Sequence, residues 1–503
     1  MTSRLALLAL SALLSLSALL FPSRLAAEAS VPALEAVWAE SSSATIEVAA
    51  ENADQQRLQD VRSAPIQGRP LDRLRSLLGM GLLLALAWLL SADRRGVPWR
   101  IVIWGTSLQL LFGLFILKTP LGVEIFQVLN GVVLDLLGYV EQGARFLFGN
   151  LVLNSIPIGE GDPGNGPFTP TGGSVASAGA FFAFNVLPTI IFFSSLMTVL
   201  YHLGVMQMVV KGFAWVMQKT MRTSGAETLS AAGNIFVGQT EAPLLIKPFV
   251  ERMTDSELMA VMTAGFATVA GGVLAAYVGM LVFSFPDIAG HLMAASVMSA
   301  PAALVMAKLM LPEKGHPETA GALGVTVERP DVNVIEAAAR GASEGLFLAL
   351  NVGAMLLAFV ALVAMLNGLL AWAGGWLGLQ GLTLELLLGY VLAPLAWIMG
   401  VPWSDAVTVG GLMGVKTVLN EFVAYLQLAD LLGREAAMEP RSALIAIYAL
   451  SGFANFSSIA IQIGGIGGIA PSRKSDLARL GLKAMIGGSL AAFMTATVAG
   501  LLL

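Results

Sequence analysis

Cysteine is absent from all 503 residues, which removes disulfides, thiolate metal sites and cysteine nucleophiles. Histidine is almost absent: His202, His291 and His316 stand far apart and argue against a histidine metal cluster. Charge is scarce too. Only 12% of residues are Asp, Glu, Lys or Arg, where about 25% is usual for a soluble domain. The small net charge of -5 carries no nucleic-acid signal. No His-Glu-x-x-His pair occurs, so the commonest signature of a zinc hydrolase is missing.

What remains is apolar. Hydrophobic residues make up 56% of the chain, and the mean hydropathy is +0.78. Several runs reach about 20 residues, the length that crosses a bilayer core. The fold class is therefore an all-α polytopic membrane protein.

Residues 1–29 read as a signal peptide, with Arg4, an apolar run over 5–21 and Ala27-Glu28-Ala29 as a cleavage site. An uncleaved first helix is the alternative for the same run. Residues 30–73 form a polar exported segment. The N-terminal membrane helices occupy 74–177. Within them, Arg94, Arg95 and Arg100 suit a cytoplasmic turn after a first span over 74–90. Residues 120–150 carry Glu124, Asp135, Glu141 and Arg145 at helical intervals, as an interfacial or protein-packed helix does. Residues 155–173, rich in Gly and Pro, read as a loop. A first core part covers 178–330 and a second covers 331–503.

Each core part contains an interrupted apolar segment. Within 219–250 the apolar run breaks at Gly238-Gln239-Thr240-Glu241-Ala242-Pro243, and each half is too short to span. That predicts a re-entrant hairpin or a broken helix. Within 384–428 a second hairpin is expected, broken around Gly410-Gly411 and Gly414, and carrying Lys416, Asn420 and Glu421. A polar island at 451–458 interrupts a further run. Paired interruptions in the two halves point to a transporter with structural repeats and a midplane site.

Intramembrane acids mark functional sites by default, which singles out Glu241 and Glu421. A structural alternative stays open for several neighbours. Lys416 could be a structural partner of Glu421, Asn455 and Ser458 could hydrogen-bond between helices, and Lys247 and Lys416 could snorkel. No dense basic cluster accompanies these groups, which disfavours a phosphorylated solute. A neutral, hydroxyl-rich solute with a planar ring fits carboxylates, amides and hydroxyls from both halves. The residues alone do not choose between a nucleoside, a sugar and an amino acid.

The string Gly233-Asn-Ile-Phe-Val-Gly-Gln-Thr-Glu-Ala-Pro-Leu-Leu-Ile-Lys-Pro248 closely resembles the signature of the concentrative nucleoside transporter family. So do Asn333 to Ala339 with Leu350 to Met355, Val418-Leu-Asn-Glu-Phe-Val-Ala-Tyr425, and Gly452-Phe-Ala-Asn-Phe-Ser-Ser458. The resemblance runs from about residue 75 to the C-terminus and implies a homotrimer with scaffold and transport parts, two re-entrant hairpins and partly unwound helices. It implies that Gln239, Thr240 and Glu241 bind the nucleobase, Glu241 directly or through water, with Val273 and Phe453 lining the base pocket. It places ribose hydroxyls on Glu421, Asn455 and Ser458. It places a sodium ion at the side chains of Asn234 and Thr268 and at the backbone carbonyls of Val237 and Val269, all oxygen donors of the kind a hard cation prefers. Thr268 stands where serine is common and keeps the hydroxyl. The function so implied is sodium-coupled import of nucleosides such as uridine or adenosine across the bacterial cytoplasmic (inner) membrane, by a carrier and not an enzyme; proton coupling is the first alternative, and a channel and an intramembrane enzyme are the other classes open to the residues alone.

Overall fold

The computed structural model describes residues 70–152, 155–161, 168–177, 182–282, 284–321, 331–376, 378–379, 381–433 and 438–503. The expected signal at 1–29 and nearly all of the polar segment 30–73 lie outside the described residues.

Helices α1 (Pro70–Leu89), α2 (Trp99–Lys118) and α3 (Pro120–Phe148) open the described chain. Residues read as a loop form an antiparallel pair instead, β1 (Ser155–Gly161) with β2 (Phe168–Ser177), Ser155 facing Ser177 and Gly161 facing Phe168. A register shift lies between Pro157 and Gly159. In a two-stranded ribbon both strands are edges, so Pro157 and Pro170 are tolerated. Local Gly and Pro signals do not reveal such pairing.

Next come α4 (Leu187–His202), α5 (Val205–Met221) and α6 (Gly225–Gly233). Ser224 opens α6 as a reciprocal capping box: its side chain accepts from Glu227 N, and Glu227 Oε1 accepts from Ser224 N at 2.8 Å. After nine residues α6 ends, the chain turns over 234–241, and a 3-10 turn (Ala242–Ile246) and one helical turn (Lys247–Val250) follow. Nine residues rise only about 14 Å, half a bilayer core. The first interrupted segment is thus a short hairpin.

A second capping box, Thr254 with Glu257, starts α7 (Asp255–Ala267). The helix unwinds at Thr268, Val269 and Ala270 and resumes as α8 (Gly271–Leu281). Then follow α9 (Ile288–Met310), the 43-residue α10 (Val334–Trp376), α11 (Leu384–Ile398) and α12 (Trp403–Val418). Helices α11 and α12 meet at 118°. The break expected at Gly410–Gly414 is not there, because α12 runs unbroken through it. These glycines serve packing: a Cβ at Gly410 would sit 2.7 Å from Gly389 O, and one at Gly411 would sit 2.9 Å from Glu385 O, both on α11. The chain breaks later, at Leu419 and Asn420, before α13 (Glu421–Gly433). Helix α14 (Pro440–Leu450) unwinds over 451–455 into α15 (Phe456–Ile469), and α16 (Lys474–Leu502) closes the fold.

Seven described segments are long and apolar enough to cross a membrane. The α7–α8 pair, α9 and α16 are 83%, 94% and 83% buried, whereas α2, α3, the α4 segment and α10 reach 28% at most. The broken helix therefore lies inside the protein, where unwound backbone can be satisfied. Helix α10 turns Leu357, Phe347 and Trp376 outward, at 79%, 68% and 79% exposure, as a helix facing lipid does.

The two unwound segments touch. Gly452 has φ +131°, and a Cβ there would lie 2.8 Å from Phe266 O and 3.0 Å from Ala267 O, at the end of α7. Both the backbone conformation and the space demand glycine. Gly452→Ala should cost about 2–4 kcal/mol from strain and overpacking, read as a lower melting temperature in detergent. Unchanged melting would show the crossing to be loose.

Candidate functional site

Apart from Lys416 on α12 and Lys247 in the helical turn after the first hairpin, the polar groups singled out in the sequence fall at four places: the turn of the first hairpin, the α7–α8 break, the start of α13 and the α14–α15 break.

Glu421, the first residue of α13, is buried. Its Oε1 accepts the Tyr277 hydroxyl at 2.9 Å, and its Oε2 accepts Asn455 Nδ2 at 2.8 Å. Asn455 caps α15, with Oδ1 accepting Ser458 N at 2.9 Å and Ser457 Oγ at 2.7 Å. Glu421, Asn455 and Ser458 therefore form one connected cluster. Tyr277, a partner with no signal in the sequence, lies one turn beyond Val273 on α8, so both share a face. Val273 is buried, and Phe453 is 9% exposed in the unwound segment.

Lys416 acts on Glu421 through its charge alone, and its hydrogen bond goes elsewhere. It is fully buried rather than snorkelling, and Nζ donates to Ala449 O at 2.9 Å in the last turn of α14. It also stands 5.7 Å over the Phe493 ring. A cation at a helix C-terminus offsets the dipole there. Tyr425 donates to Ile447 O of the same turn at 2.8 Å. The α14 break is thus held from α12 and α13. Lys247, by contrast, is exposed.

At the hairpin tip, Gln239 is buried and Glu241 exposed. Thr240 Oγ1 donates to Glu241 Oε1 at 3.0 Å. Gln239 Oε1 accepts from Gln462 Nε2 at 3.0 Å, a second partner that the sequence did not suggest. Gly465 packs on Thr240, where a Cβ would come within 2.6 Å of Cγ2. Ser458, Gln462 and Gly465 follow i, i+4, i+7 spacing, so one face of α15 meets both the Glu421–Asn455 cluster and the hairpin tip.

The remaining four candidates lie in or beside unwound backbone. Asn234 and Val237 belong to the hairpin turn, and Thr268 and Val269 to the α7–α8 break. The two loops are joined where Gly271 N donates to Phe236 O at 3.0 Å. Asn234 is fully buried; its Nδ2 donates to Ser230 O at 3.1 Å, and its Oδ1 has no partner. Thr268 Oγ1 donates to Ala264 O at 2.9 Å and keeps its lone pairs. A buried, unpartnered amide oxygen suits a hard monovalent cation, and the loop joined to it carries the neutral oxygen of Thr268.

One Gly-x-Ser-x-Gly string, Gly341 to Gly345, sits inside continuous α10, where Ser343 Oγ donates to Ala339 O at 3.0 Å. It lacks the strand-to-helix turn of a nucleophile elbow, and its glycines instead let α4 approach, with Ile191 Cα 2.8 Å from a Cβ at Gly345.

Three family descriptions match the chain: the Na+ dependent nucleoside transporter N-terminus over residues 78–151, nucleoside recognition (Gate) over 183–284 and the Na+ dependent nucleoside transporter C-terminus over 291–500. An uncharacterized transporter of Haemophilus influenzae is 45% identical over 85% of this chain and 97% of its own length. Nucleoside permease NupC of Helicobacter pylori is 45% identical over 85% and 97%. The structure of CNTnw in an inward-facing substrate-bound state superposes with a TM-score of 0.75 at 43% identity, over 85% of this chain and 97% of that one.

Proposed function

Since this chain belongs to the Na+ dependent nucleoside transporter family, we propose that it imports nucleosides across the cytoplasmic membrane by symport with sodium, as a homotrimer. The carrying observation is the turn 234–241. It holds the buried, unpartnered Asn234 Oδ1 at one end and Gln239, Thr240 and Glu241 at the other. One short element therefore serves both ligands. Asn234 and Thr268, with the carbonyls of Val237 and Val269, hold the cation. Ordering this turn positions Gln239, Thr240 and Glu241 for the base, with Val273 and Phe453 against its faces. Glu421, Asn455 and Ser458 take the ribose hydroxyls. The transport part then moves against the scaffold and releases both solutes inside.

Proteoliposomes with separately imposed sodium and proton gradients test this. Labelled uridine or adenosine should accumulate with the sodium gradient alone. Accumulation driven only by protons would move coupling to a carboxyl, Glu241 or Glu421. Asn234→Leu should raise the sodium concentration for half-maximal uptake at least about tenfold, since a buried polar oxygen is lost. An unchanged sodium requirement in that variant would remove Asn234 from the cation site.

A further inference from the structure

The Gln462 side chain is fully buried on α15, and its Nε2 makes two contacts, to Gln239 Oε1 at 3.0 Å and to Met262 O at 3.1 Å. The second contact fixes the direction of the first. A backbone carbonyl only accepts, so the Gln462 end facing Met262 must be the NH2 group. Its other N–H then points at Gln239, which must present its oxygen there. The Gln239 amide is thereby orientated, with Oε1 turned to Gln462 and its own NH2 as the free end.

We propose that Gln462 is a positioning residue that fixes which end of the Gln239 amide faces the base, and so biases the site toward bases presenting a ring carbonyl over their amino counterparts. This rests on the proposed placement of Gln239 against the base. The neighbouring group fits the same pattern. The Thr240 hydroxyl proton is engaged by the Glu241 carboxylate, so Thr240 presents lone pairs. A donor beside an acceptor complements the C=O and N–H edge of uracil or hypoxanthine. The amino and ring-nitrogen edge of cytosine or adenine sets donor against donor and acceptor against acceptor.

The fold makes room for this contact specifically. A Cβ at Gly265 of α7 would lie 2.8 Å from Gln462 Nε2 and 2.9 Å from Gln239 Cβ. Neither Gln462 nor Gly265 belongs to the proposed substrate contacts, yet both set the rotamer of a residue that does.

The test is competition binding of uridine and cytidine, and of inosine and adenosine, to the purified full-length protein in sodium. In Gln462→Leu the Gln239 amide is free to present either end. Uridine affinity should fall while cytidine holds or improves, shrinking the uridine-to-cytidine affinity ratio about three- to tenfold. The inosine-to-adenosine ratio should shrink in the same direction. Gly265→Ala, which displaces Gln462, should reproduce the change. A purely structural role would weaken all four nucleosides together, so both ratios unchanged in folded Gln462→Leu and Gly265→Ala proteins overturn the proposal. Gln239→Ala separates the two layers. If it leaves every nucleoside's affinity unchanged, the base-site assignment itself falls; if it weakens them while Gln462→Leu leaves the ratios intact, only the orientating role falls.

Discussion

Glu421→Gln is expected to lower nucleoside binding and uptake about 100-fold or more while leaving the protein folded. The Asn455 amide cannot turn around, because its Oδ1 accepts the Ser458 backbone N–H. Its NH2 therefore always faces the 421 side chain. A glutamine there can place its oxygen toward Asn455 and its NH2 toward Tyr277, whose hydroxyl is able to accept as well as donate. The buried hydrogen bonds survive the change, so the melting temperature should move little. What disappears is the charge that the proposed site offers to the sugar hydroxyls. Bonds to a charged acceptor are worth about 1.5–3 kcal/mol each, and two ribose hydroxyls multiply the loss to about 100-fold. Isothermal titration with uridine and uptake in proteoliposomes read the effect. Normal sodium-driven uridine uptake would sink the ribose assignment. As an internal control, 2′,3′-dideoxyuridine, which lacks both hydroxyls, should bind wild type and variant alike.

The parts of this site visible in the sequence were those that broke an apolar pattern. Gln239, Thr240 and Glu241 interrupt a run with glycine and proline beside them, and Asn455 and Ser458 stand in a polar island. Tyr277 and Gln462 did not stand out, since each is a lone polar residue in an apolar helix whose meaning comes from a partner 144 or 223 residues away. Glycine was ambiguous in the same sense. It breaks the chain at Gly452, where φ is positive, but at Gly410 and Gly411 it only lets α11 come close. Composition cannot separate a missing Cβ that frees the backbone from one that admits a neighbour. Lys416 illustrates a further limit. Its spacing to Glu421 suggested a direct pair; the two charges do act on each other, but the hydrogen bond goes to the carbonyl end of α14.

Lys308→Met is expected to destabilise the fold even more than Gly452→Ala. Lys308 on α9 is 2% exposed and lies 2.6 Å from Glu227 Oε2, 3.2 Å from Glu313 Oε2 and 3.0 Å from Ser256 Oγ. Around it, Ser224 Oγ donates to Glu257 Oε1 at 2.6 Å, and Thr254 Oγ1 donates to Glu313 Oε2 at 2.8 Å. One ammonium thus ties the capped starts of α6 and α7 to the end of α9. Removing it leaves the buried Glu227 without a counter-charge, a loss of about 3–5 kcal/mol. Melting in detergent should fall sharply. Glu227→Gln added to Lys308→Met should recover much of the loss, because the stranded charge goes with its partner. Equal melting of the single and double variants would mean that packing, not charge, dominates. Acid gives an independent reading. Burial pushes the Glu313 carboxyl up, but Lys308, the Gly315 N–H and Thr254 together hold it below its ordinary value. Its stabilisation is therefore complete above the ordinary carboxylate range and is lost as pH falls through the lowered value. Without Lys308 that pull weakens, so the variant should lose less stability on acidification than the wild type. If both lose the same amount, the acid sensitivity of the fold arises elsewhere.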